Sequence, residues 1–461
     1  MSARLQLDPQ LIRRYGGEGP RYTSYPTAMQ FQPLAPNAYP LAVSSRAGAR
    51  HNEPVSAYVH IPFCASLCLY CACNKIITQR MERIDAYVQR LLKEIALRNP
   101  YFSGAVIDQL HFGGGTPSYL PREGLAAIVA ALDASFGLTG DDSRDYSIEI
   151  DPRGIDYTKL RLMSELGFNR VSFGVQDFDR TVQLAINRVQ PFELVAEVYN
   201  DARRAGFKSI NLDLIYGLPK QTHQTFTSTL EQVITLRPDR LAVYGYAHMP
   251  SMFKAQRQIA EFDLPRSSER IALLQLAIQT LTGAGYIYIG MDHFALPNDG
   301  LSIAKQNGTL HRSFQGYTTH AQRDLVAFGV SAIGHIGDLY VQNQKTLKDY
   351  NAALDRGELP TQRGVRCNAA DQLRGEIIQQ IMCRGYVDLD DIEARFQVRF
   401  REHFAAEMSR LEAMADDGLV ELTGSRITLT PTGRYLMRNV AMVFDEYLTS
   451  RNQQRPLSRV V

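Results

Sequence analysis

An excess of charge of either sign is missing from this chain: 50 Lys and Arg stand against 48 Asp and Glu, a formal net charge of +2 over 461 residues. Balanced charge leaves no electrostatic footprint for nucleic acid or a membrane surface, so neither is expected as a partner. Long apolar runs are missing too. No unbroken stretch approaches the roughly 20 residues a membrane span needs, and the first thirty residues hold no apolar h-region, so a cytoplasmic protein is expected. Cysteine is scarce, with six residues in all, yet four of them fall in "CASLCLYCAC" at 64–73. In a reducing compartment such a cluster points to metal binding or catalysis and away from a disulfide framework.

The length exceeds what one compact core usually holds, which predicts one large domain and a smaller one. From about residue 55 the chain alternates β-rich runs with helical periodicity. "VSAYVHIP" (55–62) reads as a strand, and Ile84, Tyr87, Val88, Leu91, Leu92 and Ile95 then recur at the spacing of one helix face. "DQLHFGGG", "YSIEIDP", "RVSFGVQ", "INLDLIYGLP" and "LAVYGYAHMP" repeat the pattern, making six βα units and hence a parallel sheet. Three helices end in the same punctuation, "LGF", "AGF" and "AGY", with Gly167, Gly206 and Gly285 as left-handed terminal residues. Polar residues (Gly113 to Thr116, Glu149, Gln176, Asp213 and His248) fall at the C-terminal ends of successive strands. That placement favours a barrel-like sheet over a doubly wound one, whose ligand groups gather at a single switch point.

The reading is therefore an α/β fold: a partial six-unit (β/α) barrel over 55–300, an extended Pro/Gly/Arg/Tyr-rich N-terminal arm over 1–54, a connection over 301–360, and a mainly helical C-terminal domain over 361–461. In the last, "DGLVELTGSRITLTPTGR" reads as two short strands and a turn, which with the preceding helices suggests a winged-helix-like domain. Asp388, Asp390, Asp391 and Glu393 make it locally acidic, which argues against DNA and for packing or substrate cover.

Cys64, Cys68 and Cys71 form C-x3-C-x2-C. Three thiolates from one short loop can hold three corners of a cubane iron–sulfur cluster and leave the fourth iron open to an exogenous ligand, whereas electron-transfer clusters take four cysteines. The competing reading is zinc on His60 and three cysteines, but structural zinc sites use two separated C-x2-C pairs, and Cys367 and Cys383 are single. Those two are expected to be buried. Cys73 stays open: it could complete the cluster, face a substrate or pack, with Asn74 and Lys75 expected on a path leaving the site.

This loop after the first strand, with Tyr70 just before the last cysteine and "FGGGTPS" (112–118) after the second, resembles the radical S-adenosylmethionine superfamily. "GPRYTSYPTA", "YVHIPFC", "CACNK", "SIEIDPR", "FGVQDF", "NLDLIYGLPKQT", "YAHMP", "GMDHFA" and "HRSFQGYTT" together resemble the oxygen-independent coproporphyrinogen III oxidase family over nearly the whole chain, from about Arg13. Ala72 stands where that family commonly has Gly, and Tyr70 where Phe is also common.

The resemblance implies anaerobic decarboxylation of two propionates of coproporphyrinogen III to vinyl groups, with a [4Fe–4S] cluster and two S-adenosylmethionine molecules. It places the cluster on Cys64, Cys68 and Cys71. The first S-adenosylmethionine would meet Tyr58, Tyr70, Gly114 and Glu149; the second would meet Gly115, Thr116, Gln176, Arg188, Asp213, Ala247 and Ile333. Glu149 suits the cofactor's ammonium and Asp213 a ribose hydroxyl. Tyr58, His60 and Cys73 are the catalytic candidates, His60 as a proton donor or a group near the cluster. Four carboxylates around an apolar macrocycle call for arginines with aromatic neighbours, as in "PRYTSYP" (Arg21), "HRSFQGY" (Phe314, Gln315) and the tail "RNQQRPLSR". An electron-donor protein and a monomeric state complete the expectation. The alternatives are a related haem-binding chaperone, whose class generally lacks the arm and the Cys73-Asn74 pair, and a zinc-stabilised nucleic-acid-binding protein.

Overall fold

The computed structural model describes residues 9–50, 53–102, 104–321 and 323–449. The chain divides into two compact units, one of Gln30–Pro265 with Gln322–Arg366, the other of Met1–Met29, Arg266–Ala321 and Cys367–Val461.

In the first unit six parallel strands follow one another in chain order: β1 (Val55–Ile61), β2 (Ile107–Gly114), β3 (Asp145–Ile150), β4 (Arg170–Gln176), β5 (Ser209–Tyr216) and β6 (Arg240–Gly245). Helices α1 (Met81–Arg98), α2 (Arg122–Phe136), α3 (Tyr157–Glu165), α4 (Phe192–Arg204) and α5 (His223–Leu236) make the crossovers. Neighbours in sequence are neighbours in the sheet, so the strand order never reverses, and the C-terminal strand ends line one rim as in a barrel. β1 is buried at almost every position, as expected of a parallel strand covered on both faces. α1 buries Ile84, Tyr87, Val88, Leu91 and Ile95, the stripe its periodicity predicts, with Leu92 half-buried at the edge.

The repeated helix endings fold as read. Phe168 N–H reaches back to Met163 O and Gly167 N–H to Ser164 O, and the same pair of bonds recurs at Phe207 with Gly206 and, in the second unit, at Tyr286 with Gly285. All three glycines have φ near +95°, a conformation that costs glycine nothing.

Beyond the six strands the sheet continues on the other side of β1, which pairs in parallel with β7 (Leu325–Phe328). Antiparallel β8 (Ile333–Ile336), β9 (Leu339–Asn343) and β10 (Thr361–Arg366) follow, with Gln32–Pro33 at the edge. Sequence reading placed only a connection and an arm in these stretches. Residues 38–50 are a helix instead of extended chain, and it is anchored where Arg46 Nε donates to Asp324 Oδ2 at 2.6 Å, both side chains nearly fully buried.

The second unit is mainly helical, with Ser267–Gly283 and Ala369–Arg384 its longest helices. Two strands and a turn form at Val420–Leu422 and Arg426–Leu429, and Tyr386–Asp388 pairs on the other side of the latter, a three-stranded wing beside the helices. Among the described residues no helix is long and apolar enough to cross a membrane.

Candidate active site

β1 runs directly into the cysteine loop. Phe63 and Cys64 pair in parallel with Ile76 and Ile77, and Ile76 N–H donates to Pro62 O at 2.6 Å, so the loop between is closed by a short backbone clasp. Each of the first three thiols meets a donor. Thr116 Oγ1 donates to Cys64 Sγ at 3.3 Å, Arg188 Nη1 lies 3.5 Å and Arg153 Nη2 3.8 Å from Cys68 Sγ, and Cys73 N–H lies 3.5 Å from Cys71 Sγ. Hydrogen bonding from Cys73, with Lys75 close by, pulls the Cys71 thiol down to about 6, while burial pushes Cys64 up to about 11. Asn74 and Lys75 do not lead away as the sequence suggested: Asn74 O returns to His60 Nε2 at 3.0 Å and Lys75 Nζ donates to Cys71 O at 2.8 Å. Cys73 itself is exposed.

The glycine run packs against this loop. Gly115 N–H donates to Ile61 O at 2.8 Å and Thr116 N–H to Phe63 O at 2.9 Å. Gly114, at φ +115°, donates its N–H to Glu149 Oε2 at 3.2 Å. A methyl on Gly114 would sit 2.5 Å from the His60 ring, and one on Gly115 2.7 Å from the Pro62 carbonyl carbon, so backbone approach is what demands glycine here.

His60 is held at both nitrogens. Asn74 O can only accept, so His60 Nε2 carries the proton and Nδ1 accepts from Tyr58 OH at 3.0 Å. Burial lowers the His60 pKa and keeps the ring neutral. Tyr58 stacks on His111, with ring centroids 5.8 Å apart, and His111 in turn bonds Ser147 Oγ at 2.7 Å and Glu149 Oε1 at 3.3 Å.

Further round the rim, Gln176 takes φ +70° beside a bulge in β4. Arg188 is buried: Nη2 donates to Gly174 O at 2.6 Å and Nη1 to Asp151 Oδ2 at 3.1 Å. Burial opposes its charge, but Tyr70, Asp151 and Cys68 around it hold the guanidinium charged. Asp151 is also gripped by Arg153, at 2.9 and 2.6 Å. Asp213 accepts from Ser172 Oγ at 3.0 Å and Asn211 Nδ2 at 2.8 Å; burial, then the nearby Glu149, push its carboxyl up to about 6. Ala247 O accepts from Gln256 Nε2, which also donates to Tyr70 O at 2.9 Å. Ile333 opens β8 just after the 329–332 turn, where Gly329 lies against His60.

Four participants escaped the sequence reading. Asp151 and Arg153 sat in the quoted "SIEIDPR", just past the end of β3, and His111 in "DQLHFGGG", within β2. Gln256, fully buried in the short 3-10 helix Lys254–Gln258, carries no sequence signal.

In the second unit Arg21 pairs with Asp292, and Phe314 and Gln315 form the two-residue tip between His311–Ser313 and Gly316–Thr318. Arg312 lies over the Tyr317 ring at 4.7 Å. The tail arginines lie outside the described residues. Cys367 and Cys383 are buried, as expected.

Among the described residues no three His, Cys, Asp or Glu side chains converge as a single metal ion would require. A cubane makes no such demand, because each thiolate binds a different iron, and donors aimed at the sulfurs suit anionic ligands. The three thiols fit a cluster of that kind.

A strand-ordered half-barrel with three such cysteines after β1 and a glycine run after β2 is the architecture of radical S-adenosylmethionine enzymes. The Radical SAM superfamily model matches residues 58–233, and the HemN C-terminal domain model matches 368–436. Oxygen-independent coproporphyrinogen III oxidase of Pseudomonas aeruginosa is 50% identical over 99% of both chains, and that of Escherichia coli 44% over 99% of both. A solved structure described as coproporphyrinogen III oxidase (HemN) from Escherichia coli, a radical SAM enzyme, superposes with a TM-score of 0.91 at 43% identity, covering 96% of this chain and 100% of that one. The chain belongs to the oxygen-independent coproporphyrinogen III oxidase family of radical SAM enzymes, with the [4Fe–4S] cluster and S-adenosylmethionine as its cofactors.

Proposed function

We propose that the chain converts two propionate side chains of coproporphyrinogen III to vinyl groups without O2, giving protoporphyrinogen IX for haem biosynthesis. The observation that carries this is full-length identity of 50% to a relative of that name, covering arm, half-barrel and C-terminal domain together. With the cluster held by Cys64, Cys68 and Cys71, it and S-adenosylmethionine would supply the one-electron radical chemistry that a propionate decarboxylation needs.

The chain's own residues bind, orient and exclude water. Cys64, Cys68 and Cys71 hold the cluster, with Arg188 and Arg153 facing Cys68. Tyr58, Tyr70, Gly114 and Glu149 are assigned to the first S-adenosylmethionine, and Gly115, Thr116, Gln176, Arg188, Asp213, Ala247 and Ile333 to a second. The hydrogen bonds that lock His111 against Glu149 and Ser172 against Asp213 support acceptor roles for both carboxylates. His60, with its proton on Nε2 and its Nδ1 accepting from Tyr58 OH, and the exposed Cys73 are the groups assigned to the substrate side of the cluster. Arg21, Phe314 and Gln315 are assigned to substrate binding. A protein electron donor, a monomeric state and a cytoplasmic location complete the proposal.

The test is anaerobic incubation with coproporphyrinogen III, S-adenosylmethionine and a low-potential reductant. Divinyl product with two CO2 released is expected; haem binding without any vinyl product would overturn the reading in favour of the chaperone.

A further inference from the structure

Asn74 has no role in the mechanism above, yet its side chain reaches Lys345, 271 residues away. Following that contact leads round a closed circuit within the first unit. Lys345 follows the 343–344 backbone, where Asn343 N–H donates to Ala332 O at 2.9 Å and Gln344 O accepts from Ser331 N–H at 2.8 Å. The 329–332 turn is fixed at its other end by Tyr87 of α1. The Tyr87 hydroxyl donates to His60 O at 2.7 Å and accepts Val330 N–H at 3.1 Å. His60 Nε2 then returns to Asn74 O at 3.0 Å, closing the ring.

The ring stands on a buried platform. Glu94, fully buried, accepts from Gly329 N–H at 2.7 Å, Tyr350 OH at 2.7 Å, Asn343 Nδ2 at 2.8 Å and Arg98 Nε at 3.0 Å. Gly329, at φ +97°, has no room for a side chain, since a methyl would lie 2.5 Å from the Tyr87 hydroxyl oxygen and 2.6 Å from His60 O. So close an approach, with Glu94 accepting four hydrogen bonds beneath it, makes the turn follow the end of β1 instead of floating beside it.

We propose that Asn74 and Tyr87 are positioning residues that tie the 329–333 segment to the cysteine loop, so that the wall bearing Ile333 is in place only when that loop is. The functional consequence rests on the assignment of Ile333 to a second S-adenosylmethionine.

The test uses the anaerobic holoenzyme with Asn74→Ala and Tyr87→Phe, neither of which touches a cluster ligand. Three readouts are taken: iron content with the EPR response to S-adenosylmethionine, hydrogen exchange of amides 329–333, and the number of radiolabelled S-adenosylmethionine molecules held in equilibrium dialysis. Iron and EPR are expected at the wild-type level. Exchange at 329–333 rises about five- to tenfold in Tyr87→Phe and less in Asn74→Ala, whose bond is exposed, and the second cofactor binds more weakly by about the same factors. Unchanged exchange at 329–333 in both variants overturns the proposal. A wild-type enzyme that holds one cofactor overturns the assignment of Ile333, and the ring is then judged on exchange alone.

Discussion

Cys73 differs from its three neighbours in what surrounds it. The other sulfurs face Thr116, Arg188 with Arg153, and the Cys73 N–H, whereas Cys73 is exposed at the edge of the loop. Replacing Cys64, Cys68 or Cys71 by Ser is expected to abolish bound iron and sulfide. Cys73→Ser is expected to keep both and to lose turnover by at least about 100-fold, the scale of a lost proton-transfer group; an iron-free Cys73→Ser protein would overturn the three-ligand assignment. Asp213 makes a second residue-scale prediction. Its folded carboxyl titrates near 6, above the ordinary ~3.9. The folded chain therefore holds the proton more tightly than the unfolded one, and this contribution to stability is present at low pH and lost as pH rises through 6. Denaturant unfolding of cluster-free protein should show wild type losing stability relative to Asp213→Asn from about pH 4 to just above pH 6, with no further change at higher pH. A pH-independent difference would mean that Asp213 is not strained by burial beside Glu149.

At the scale of elements, the sharpest constraint is the meeting of the β1 end with the glycine run after β2. Both segments are extended chain whose backbones interlock, Gly115 on Ile61 and Thr116 on Phe63, leaving no volume for a Cβ. Gly115→Ala is expected to lower unfolding free energy by about 1–3 kcal/mol, as overpacking against backbone does, and to displace the cysteine loop. Gly140→Ala, in open surroundings with ordinary backbone, should be silent in the same denaturant titration. Equal effects at the two sites would show that the close packing is not rigid. The three helix endings show how far local sequence reaches: glycine followed by an aromatic closes the helix, the glycine N–H bonding three residues back and the aromatic N–H five back, and nothing distant is needed.

At the scale of the molecule, contacts distant in sequence decide the outline of the first unit. Residues 325–366 return to pair beside β1, and the 38–50 helix is anchored through Arg46 to Asp324, 278 residues away. Asp324 also accepts Gly337 N–H at 2.8 Å, and Arg46 Nη2 donates to Glu53 O at 2.8 Å, so both ends of this buried pair are satisfied. Removing one partner strands a buried charge. Asp324→Asn is expected to cost about 3–5 kcal/mol, read as a shift in denaturant midpoint without a change in slope. A loss under about 1 kcal/mol would mean that water reaches the pair.

The six-unit half-barrel was legible because its strands are buried runs separated by helices of clear 3.6 periodicity, and candidate cluster ligands could be proposed because three cysteines share one short loop. Glu149, Gln176, Asp213 and His248 could be placed on the rim from their positions at strand ends, and Ala247 from the family resemblance alone. What stayed hidden has a common physical cause, since a buried side chain such as Glu94, Gln256 or Arg46 takes its meaning from a partner brought close only by the fold. The short strands β7 to β10 were hidden for the same reason, their pairing being set by β1 and not by their own pattern. The sequence alone thus determined the family and the chemistry it implies, through three closely spaced thiols and a glycine run. The tertiary structure decided how that chemistry is held, through hydrogen bonds that return Asn74 to His60 and tie the 329–333 turn to Tyr87, because such bonds depend on distance in space and leave no periodic trace along the chain.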